Sequence, residues 1–397
     1  MDMKKITVIV LTACIPATLF AADWPNWRGP NHDGISSETD WDPAGLNDDS
    51  VVWEAQIGIG FSAVSIANGK IYTAGNVDKK TDIIYCLDAA DGKQLWVFKY
   101  PEPLTANMYE GGPNATPTVQ DGKVYMVSKT GTVYCLDADT GNELWKRSLS
   151  NEKPQWGYAG SPVVVDDLVI LNIGSAGVAL KKQNGEIVWE SGQGTSGYAS
   201  AVPFEKDGIK SVAMFAKDSL QIIEAETGKL TASYEWKTSY NVNAADPVVS
   251  GDEILITSGY GHGAALLKRG PEGLSEVWKS KNMRSQMSGP VLIDGYLYGF
   301  DDNKLVCLDW KTGEQKWSEK SPKKGSLSAA GDKLIVIGEK GELLIAEATP
   351  QGYQQISSAQ VLDGRCWTMP VLSKGRIYVR NAKGHLVCVD VQKKKIL

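Results

Sequence analysis

Apolar and polar residues alternate along this chain in short runs, and pairs of runs are joined by Asn-Gly, Asp-Gly or Thr-Gly turns. One example is GTVYCLDADTGNELW at residues 131–145, which is nearly repeated by DIIYCLDAADGKQLW at 82–96 and KLVCLDWKTGEQKW at 304–317. Alternation on both sides of a tight turn is typical of an antiparallel β-hairpin. The chain is therefore predicted to be all-β.

A second hairpin precedes each of these units, for instance ATPTVQDGKVYMVS at 115–128. Two hairpins make a four-stranded antiparallel sheet, and about eight such sheets follow one another at a spacing of roughly 35 to 50 residues. This pattern predicts an eight-bladed β-propeller. The C-terminal repeat lacks an outer strand, whereas VVWEAQIG at 51–58 is an outer strand with no blade before it. The N-terminal strand is therefore predicted to complete the C-terminal blade and close the ring.

Three regions are expected along the chain. Residues 1–22 have a basic start, an apolar stretch and small residues, as in a bacterial export signal. The LTAC sequence within them also resembles a lipobox, so lipid attachment at Cys14 is an alternative to soluble export. Residues 23–50 hold three tryptophans and repeat nothing, which predicts a strap packed on the outside or one face of the ring. Residues 51–397 form the propeller.

Composition narrows the possible partners. A formal net charge of -6 and a pI near 5.3 argue against a nucleic acid partner. No run beyond the signal is long and apolar enough to span a bilayer, and we expect an exported monomer in the periplasm or outside the cell. The chain has three histidines, no Cys-x-x-Cys spacing and no nucleophile motif. No catalytic residue and no metal ligand are predicted.

Tryptophan recurs at one position of the outer strands, where a large flat side chain can pack between neighbouring blades. These residues are predicted to be structural: Trp96, Trp145, Trp189, Trp278 and Trp317.

The segments that join one blade to the next are longer than the hairpin turns and rich in aromatic and polar residues. Topology places all of them at one end of the ring, together with the second-to-third loops. They are either rigid filler for the channel or a binding surface on a rigid scaffold. The candidate face consists of Tyr109, Trp156, Tyr158, Tyr198, Tyr240, Asn243, His262, Arg284, Arg365 and Trp367. Within it, Arg284 and Arg365 would suit a carboxylate or another anion if they met at one mouth.

The phrase LDADTGNELW resembles the tryptophan-docking repeat of the pyrroloquinoline-quinone (PQQ) propellers. Almost the whole chain after the signal is similar to exported PQQ-like repeat proteins of the kind that includes the outer-membrane assembly lipoprotein BamB. The passages WPNWRGPNHDGIS, TSGYGHGAALLK, EKGELLIAEATP and AQVLDGRCWTMPVL strengthen this resemblance.

The resemblance implies two alternative functions. BamB-type propellers bind partner proteins through surface loops, which would make this chain a non-catalytic module for an envelope protein, a glycan or a small ligand. Quinoprotein dehydrogenases of this fold hold PQQ and calcium and oxidise alcohols or sugars, commonly with two adjacent cysteines at the quinone. This chain has no adjacent cysteines, and Asn241, Asn243 and Asp246 are its best calcium candidates. A binding module without cofactor is therefore the first expectation.

Overall fold

The computed structural model describes residues 23–192 and 194–393. The predicted export signal, including Cys14, lies outside the described residues. Within them the regular secondary structure consists of β-strands, and no helix there is long and apolar enough to cross a membrane. The strands form eight sheets that confirm the predicted all-β, eight-bladed propeller.

The strands are numbered in chain order. Two belong to the N-terminal part: β1 (Ile35–Ser36) and β2 (Val51–Gln56). Blades 1 and 2 contain β3 (Ser65–Ala67), β4 (Lys70–Val77), β5 (Thr81–Asp88), β6 (Gln94–Pro101), β7 (Thr118–Gln120), β8 (Lys123–Val127), β9 (Thr132–Asp137) and β10 (Glu143–Ser148). Blades 3 and 4 contain β11 (Val163–Val165), β12 (Leu168–Leu171), β13 (Val178–Lys181), β14 (Ile187–Glu190), β15 (Val202–Lys206), β16 (Ile209–Phe215), β17 (Ser219–Glu224) and β18 (Leu230–Glu235). Blades 5 and 6 contain β19 (Val248–Ser250), β20 (Glu253–Ser258), β21 (Gly263–Gly270), β22 (Gly273–Ser280), β23 (Val291–Ile293), β24 (Tyr296–Asp301), β25 (Lys304–Asp309) and β26 (Gln315–Glu319). Blades 7 and 8 contain β27 (Gly325–Ala330), β28 (Lys333–Gly338), β29 (Glu342–Glu347), β30 (Gln355–Gln360), β31 (Val371–Ser373), β32 (Arg376–Arg380) and β33 (His385–Asp390).

Each blade is an antiparallel meander whose first strand faces the centre of the ring, because the first strands of successive blades contact one another. Blade 8 takes its fourth strand from the N-terminal part of the chain: β2 pairs antiparallel with β33. This pairing confirms the predicted closure. We call the segments between successive blades the links, and the end of the ring where they lie the link face. The opposite end, with the short hairpin turns, is the turn face.

Neighbouring blades are joined by a repeated contact between a tryptophan and a turn. The indole Nε1 of Trp96 on blade 1 donates to the carbonyl of Ala138 on blade 2 at 3.0 Å, and its ring covers Gly141 of the same turn. A Cβ added at Gly141 would lie 2.6 Å from the indole, so only glycine fits under the ring. Equivalent indole donors lie at Trp53, Trp145, Trp189, Trp278 and Trp317.

The N-terminal segment, residues 23–50, runs across the channel rather than around the rim. Trp24 forms an antiparallel bridge with Ile66 of β3, and β1 pairs in parallel with β27 of blade 7. The segment then leaves along the turn face, where the carboxylate of Glu38 accepts the backbone N–H groups of Lys374 and Gly375. The channel is thus closed from the turn side by the protein's own chain.

Arg28 anchors this segment inside the ring. Its side chain is fully buried and donates to the carbonyls of Gly289 at 2.9 Å and Pro290 at 2.8 Å, at the entrance to blade 6. A second buried arginine, Arg380 on blade 8, donates to the carbonyls of Ser62 and Ala74 and so ties blade 8 to blade 1. Buried N–H donors that satisfy carbonyls avoid the cost of unpaired polar groups.

The tryptophan contact predicts a difference between two glycine substitutions. Gly122 and Gly141 both have positive φ, but nothing lies within 4 Å of a Cβ added at Gly122. Gly122→Ala should therefore cost only the left-handed backbone penalty, about 1 kcal/mol. Gly141→Ala should lower the free energy of unfolding by about 1–3 kcal/mol more, because the added methyl group displaces Trp96 from its packed position. Urea unfolding of both variants measures the two costs, and equal losses would show that the indole contact is not tightly packed.

Candidate functional site

A cavity of about 520 Å³ opens at the link face over the axis of the ring. Every one of the eight links contributes to its wall, and Trp27 of the N-terminal segment contributes from below. The residues that line it are Trp27, Phe61, Asn107, Met108, Tyr109, Asn114, Trp156, Ala159, Ser161, Tyr198, Ser200, Val242, Ala244, Asp246, Tyr260, Gln286, Met287, Lys324, Glu339, Arg365, Trp367 and Thr368.

Asp246 is positioned by a repeated hydrogen-bond pattern of the links. A side-chain oxygen at the end of one link accepts the backbone N–H at the same place in the preceding link: Thr116 accepts from Ala63, Ser161 from Thr116, and Ser200 from Ser161. Asp246 takes the next place and accepts the N–H of Ser200 at 2.8 Å. The repeat thus substitutes a carboxylate for a hydroxyl at this one wall of the cavity.

The carboxylate of Asp246 is buried, although it borders the cavity. Its second oxygen accepts the indole N–H of Trp27 at 2.5 Å. Burial raises the pKa of Asp246 to about 6, while the nearby Arg28 and these two donors oppose the increase. Asp246 and Trp27 together therefore join the floor of the cavity to the N-terminal segment.

Two cations lie against Trp367 on another part of the wall. The Lys324 ammonium is 4.9 Å and the Arg365 guanidinium 4.4 Å from the centre of the indole, within the range of a cation–π contact. Arg365 also pairs with Glu110 of the link between blades 1 and 2 at 2.8 Å. The indole N–H of Trp367 donates to Glu339 at 2.8 Å. Burial lowers the pKa of Lys324, which Glu339 partly opposes.

Aromatic side chains fill the wall between these charges. Phe61 contacts both Tyr109 and Trp367, each with ring centres 5.4 Å apart. Trp156 packs against Tyr198 at 5.8 Å, and its indole N–H donates to the carbonyl of Asn107 at 3.2 Å. The wall is thus made of side chains that hold one another in place.

The structure brings five of the ten candidate residues to the cavity, and their role in binding stays a prediction. These five are Tyr109, Trp156, Tyr198, Arg365 and Trp367.

The other five lie elsewhere on or beneath the same face. Tyr158 is buried and donates to the carbonyl of Asn151, and Tyr240 is 60% exposed near the rim. Asn243 is buried, and its amide donates to backbone carbonyls. His262 packs edge-on against Trp236 with ring centres 4.4 Å apart. Arg284 binds Asp301 through two N–H groups at 2.6 and 2.7 Å and does not line the cavity. The second cation beside Arg365 is therefore Lys324.

Sequence reasoning missed several lining residues. The sequence predicts a strap for the segment that contains Trp27, and it indicates Asp246 only as a candidate calcium ligand. An alignment of the link sequences with one another identifies Asp246, because it occupies the position of Thr116 and Ser161, directly before a proline. No comparable signal marks Lys324 or Trp27, because their positions depend on how the links and the N-terminal segment fold over the channel.

The closed ring, the repeated tryptophan contacts and the cavity on the axis together define a PQQ-like β-propeller. A sequence profile described as "Outer membrane protein assembly factor BamB" matches residues 42–202 and 80–319, which together span well over half of the chain. The chain belongs to this family. A comparison with curated protein sequences gave no match.

Solved structures share the fold at low sequence identity. BamB from Moraxella catarrhalis has a TM-score of 0.66 and 16% identity, with 86% of this chain and 99% of that chain covered. Quinohemoprotein alcohol dehydrogenase from Comamonas testosteroni has a TM-score of 0.68 and 13% identity, with 94% and 81% covered. A europium-containing methanol dehydrogenase has a TM-score of 0.66 and 14% identity, with 90% and 89% covered.

The donor set of the cavity does not suit the calcium ion of a PQQ site, which takes six or more oxygen ligands. Within residues 23–192 and 194–393, no group of three His, Cys, Asp or Glu side chains could hold a metal ion. Asp246 and Glu339 are the only carboxylates among the lining residues and belong to different blades, and the side-chain oxygen of Asn243 accepts the hydroxyl of Ser258. We therefore derive no chemical step through PQQ and calcium.

The buried carboxyl of Asp246 predicts a pH dependence of folding. Its pKa rises from an ordinary 3.8 to about 6 in the folded protein, so the folded state holds the proton more tightly than the unfolded chain between these values. The free energy of unfolding should therefore fall as the pH rises through this window and level off above it. In Asp246→Asn this part of the decrease should disappear. Urea unfolding of both proteins across the window measures it, and parallel pH profiles would contradict the assignment.

Proposed function

We propose that this protein is an exported, non-catalytic binding module whose link face captures a partner protein of the cell envelope. The observation that carries the proposal is the cavity wall to which all eight links contribute, on a chain of the BamB family. A rigid ring that directs eight aromatic and charged links to one end provides a continuous recognition surface. A monomer in the periplasm or outside the cell fits this function.

The side chains of the cavity support recognition better than catalysis. Its charged and aromatic groups are held by one another, as in the contacts Trp367–Glu339 and Arg365–Glu110. No histidine or cysteine is among the lining residues. Cys366 in the link between blades 7 and 8 is fully buried, and burial raises the pKa of its thiol to about 12. A thiol with that pKa is a poor nucleophile at neutral pH.

Exposed apolar side chains surround the mouth of the cavity and support a protein partner. Met108 is 88% exposed, and Tyr240 and Tyr260 are 60% and 52% exposed, with their rings 5.7 Å apart. Aromatic residues and methionine are enriched where proteins bind one another. A partner segment that covers these three residues would remove their apolar surface from water.

We predict that a charge at Met108 disrupts partner binding, whereas a charge on the outer rim does not. Met108→Asp places a carboxylate on the exposed link face. Leu144→Asp makes the same kind of change on β10, where Leu144 is 49% exposed at the outside of the ring. A partner would first be isolated from envelope extract with the wild-type protein and then titrated with each variant. Met108→Asp should weaken binding by about tenfold or more, and Leu144→Asp should not.

Equal affinities for both variants would reject the link face as the binding surface. Loss of binding in both folded variants would reject the link face as the sole binding surface, because the outside of the ring would then take part as well. The melting temperature of each variant shows whether the fold is retained, because both changes lie on exposed side chains and should leave it close to the wild type.

The alternative function is a PQQ-dependent dehydrogenase for an alcohol or a sugar. Its support is the pair of cations Lys324 and Arg365 at an axial cavity, which could receive the carboxylates of a quinone. Titration of the purified protein with PQQ and calcium, followed by quinone absorbance and melting temperature, distinguishes the two functions. We expect no saturable thermal shift. Saturable binding would favour the dehydrogenase and direct the work to alcohol and sugar substrates.

A further inference from the structure

The charged residues of the cavity are unevenly distributed around the axis. The fixed carboxylate of Asp246 belongs to the link between blades 4 and 5. Lys324 belongs to the link between blades 6 and 7, and Arg365 to the link between blades 7 and 8. Because the links follow one another around the axis in blade order, Asp246 and Arg365 lie three links apart in a ring of eight. The cavity therefore has a single carboxylate on one side, and on another side it has two cations that lie near the carboxylates of Glu339 and Glu110.

The cationic side has donors that the protein does not use. Within the described residues, the ammonium of Lys324 forms no ion pair and no hydrogen bond, and its contact is with the ring of Trp367. Arg365 uses Nη1 for Glu110, and among the same residues its Nε and Nη2 make no hydrogen bond. Glu339, the carboxylate on this side of the lining, is engaged by the indole of Trp367. An incoming anion could therefore bind Lys324 and Arg365 together.

The anionic side is fixed before a ligand arrives. Asp246 is held by donors from Trp27 and Ser200, and each of its oxygens keeps acceptor capacity. A cation near this buried carboxylate would favour its ionised form and strengthen the interaction. Arg28, which lies nearby, is committed to backbone carbonyls. Apolar and aromatic side chains such as Val242, Met287 and Phe61 line the space around these charges.

We propose that this cavity binds a small amino-carboxylate: a molecule with an ammonium group for Asp246, a carboxylate for Lys324 and Arg365, and an apolar body between them. Such a ligand pairs both ends of the cavity and leaves its aromatic wall in apolar contact. A ligand with one charge would leave the opposite end unpaired. This site shares Met108 and Tyr260 with the surface proposed to capture a partner, but its charged groups, Asp246, Lys324 and Arg365, are not among the exposed residues of that surface.

Calorimetric titration with matched probes tests the proposal. The zwitterionic probes are leucine and the unbranched series from aminobutyrate to aminohexanoate, whose lengths sample a range of separations between the ammonium and the carboxylate. The probes with a single charge are hexanoate and hexylamine. We expect at least one zwitterion to bind about tenfold or more tightly than either singly charged probe. Equal or weaker binding of every zwitterion would overturn the proposal.

Charge-removing variants assign each end of the ligand. Lys324→Met should abolish the preference of the best zwitterion over hexylamine, whereas Lys323→Met should keep it, because Lys323 is exposed and outside the lining. Asp246→Asn should abolish the preference over hexanoate. If Asp246→Asn does not fold, the comparison of Lys324→Met with Lys323→Met still decides the matter. An unchanged preference in Lys324→Met would reject this cavity as the site.

Failure of this inference and failure of partner capture can be told apart. If no zwitterion binds but Met108→Asp still weakens partner binding, the link face is a protein surface without a small-ligand site. If zwitterions bind and Met108→Asp has no effect on partner binding, the cavity is a small-ligand site and the link face does not capture the partner. Each result rejects one proposal and retains the other.

Discussion

The rest of the structure depends on one contact between blades, in which an indole ring covers a glycine of the next turn and donates to a carbonyl beside it. Trp96 over Gly141 and Trp145 over Gly185 have nearly the same geometry. The contact joins a fourth strand to a third-to-fourth turn, so it lies at the outside of the ring and towards the turn face. At the six boundaries with this contact, neighbouring blades are therefore joined by residues that do not belong to the links.

Closure of the ring also shapes the site. The strand β2 carries Trp53, whose indole N–H donates to the carbonyl of Ala89 on blade 1, so the last blade boundary uses the same kind of contact as five of the others. The chain that leads into β2 crosses the channel, where Arg28 fixes it to blade 6. As a consequence Trp27 becomes the floor of the cavity and the partner of Asp246. The element that closes the propeller thus also turns an open channel into a one-sided cavity.

The fold could be predicted from the sequence because its determinants are local and repeated: alternation, Gly turns and a tryptophan at one register occur blade after blade. The cavity could be predicted only in part. Trp156 and Trp367 were found because topology alone sends the links to one end of the ring. The sequence predicts Arg284 rather than Lys324 as the second cation of the site. This prediction is wrong because Arg284 forms an ion pair with Asp301, a side-chain contact that no pattern in the sequence indicates. The position of Trp27 cannot be predicted from the sequence, because a segment without repeats has no register with the blades.

The ring and the cavity depend on different residues, which explains why one fold can serve proteins as different as an assembly factor and alcohol dehydrogenases. The tryptophan contacts need the outer strands and the third-to-fourth turns, whereas the cavity is built from the links, so the links can change without loss of the ring. At 13% to 16% identity to the solved structures, what is shared is this frame. The residues that determine the function of this protein must then be sought among those that are not needed to form the propeller ring. Asp246 shows this: its hydrogen bond to Ser200 could be made by a hydroxyl, as in three preceding links, and a carboxylate there adds a buried charge that the ring itself does not require.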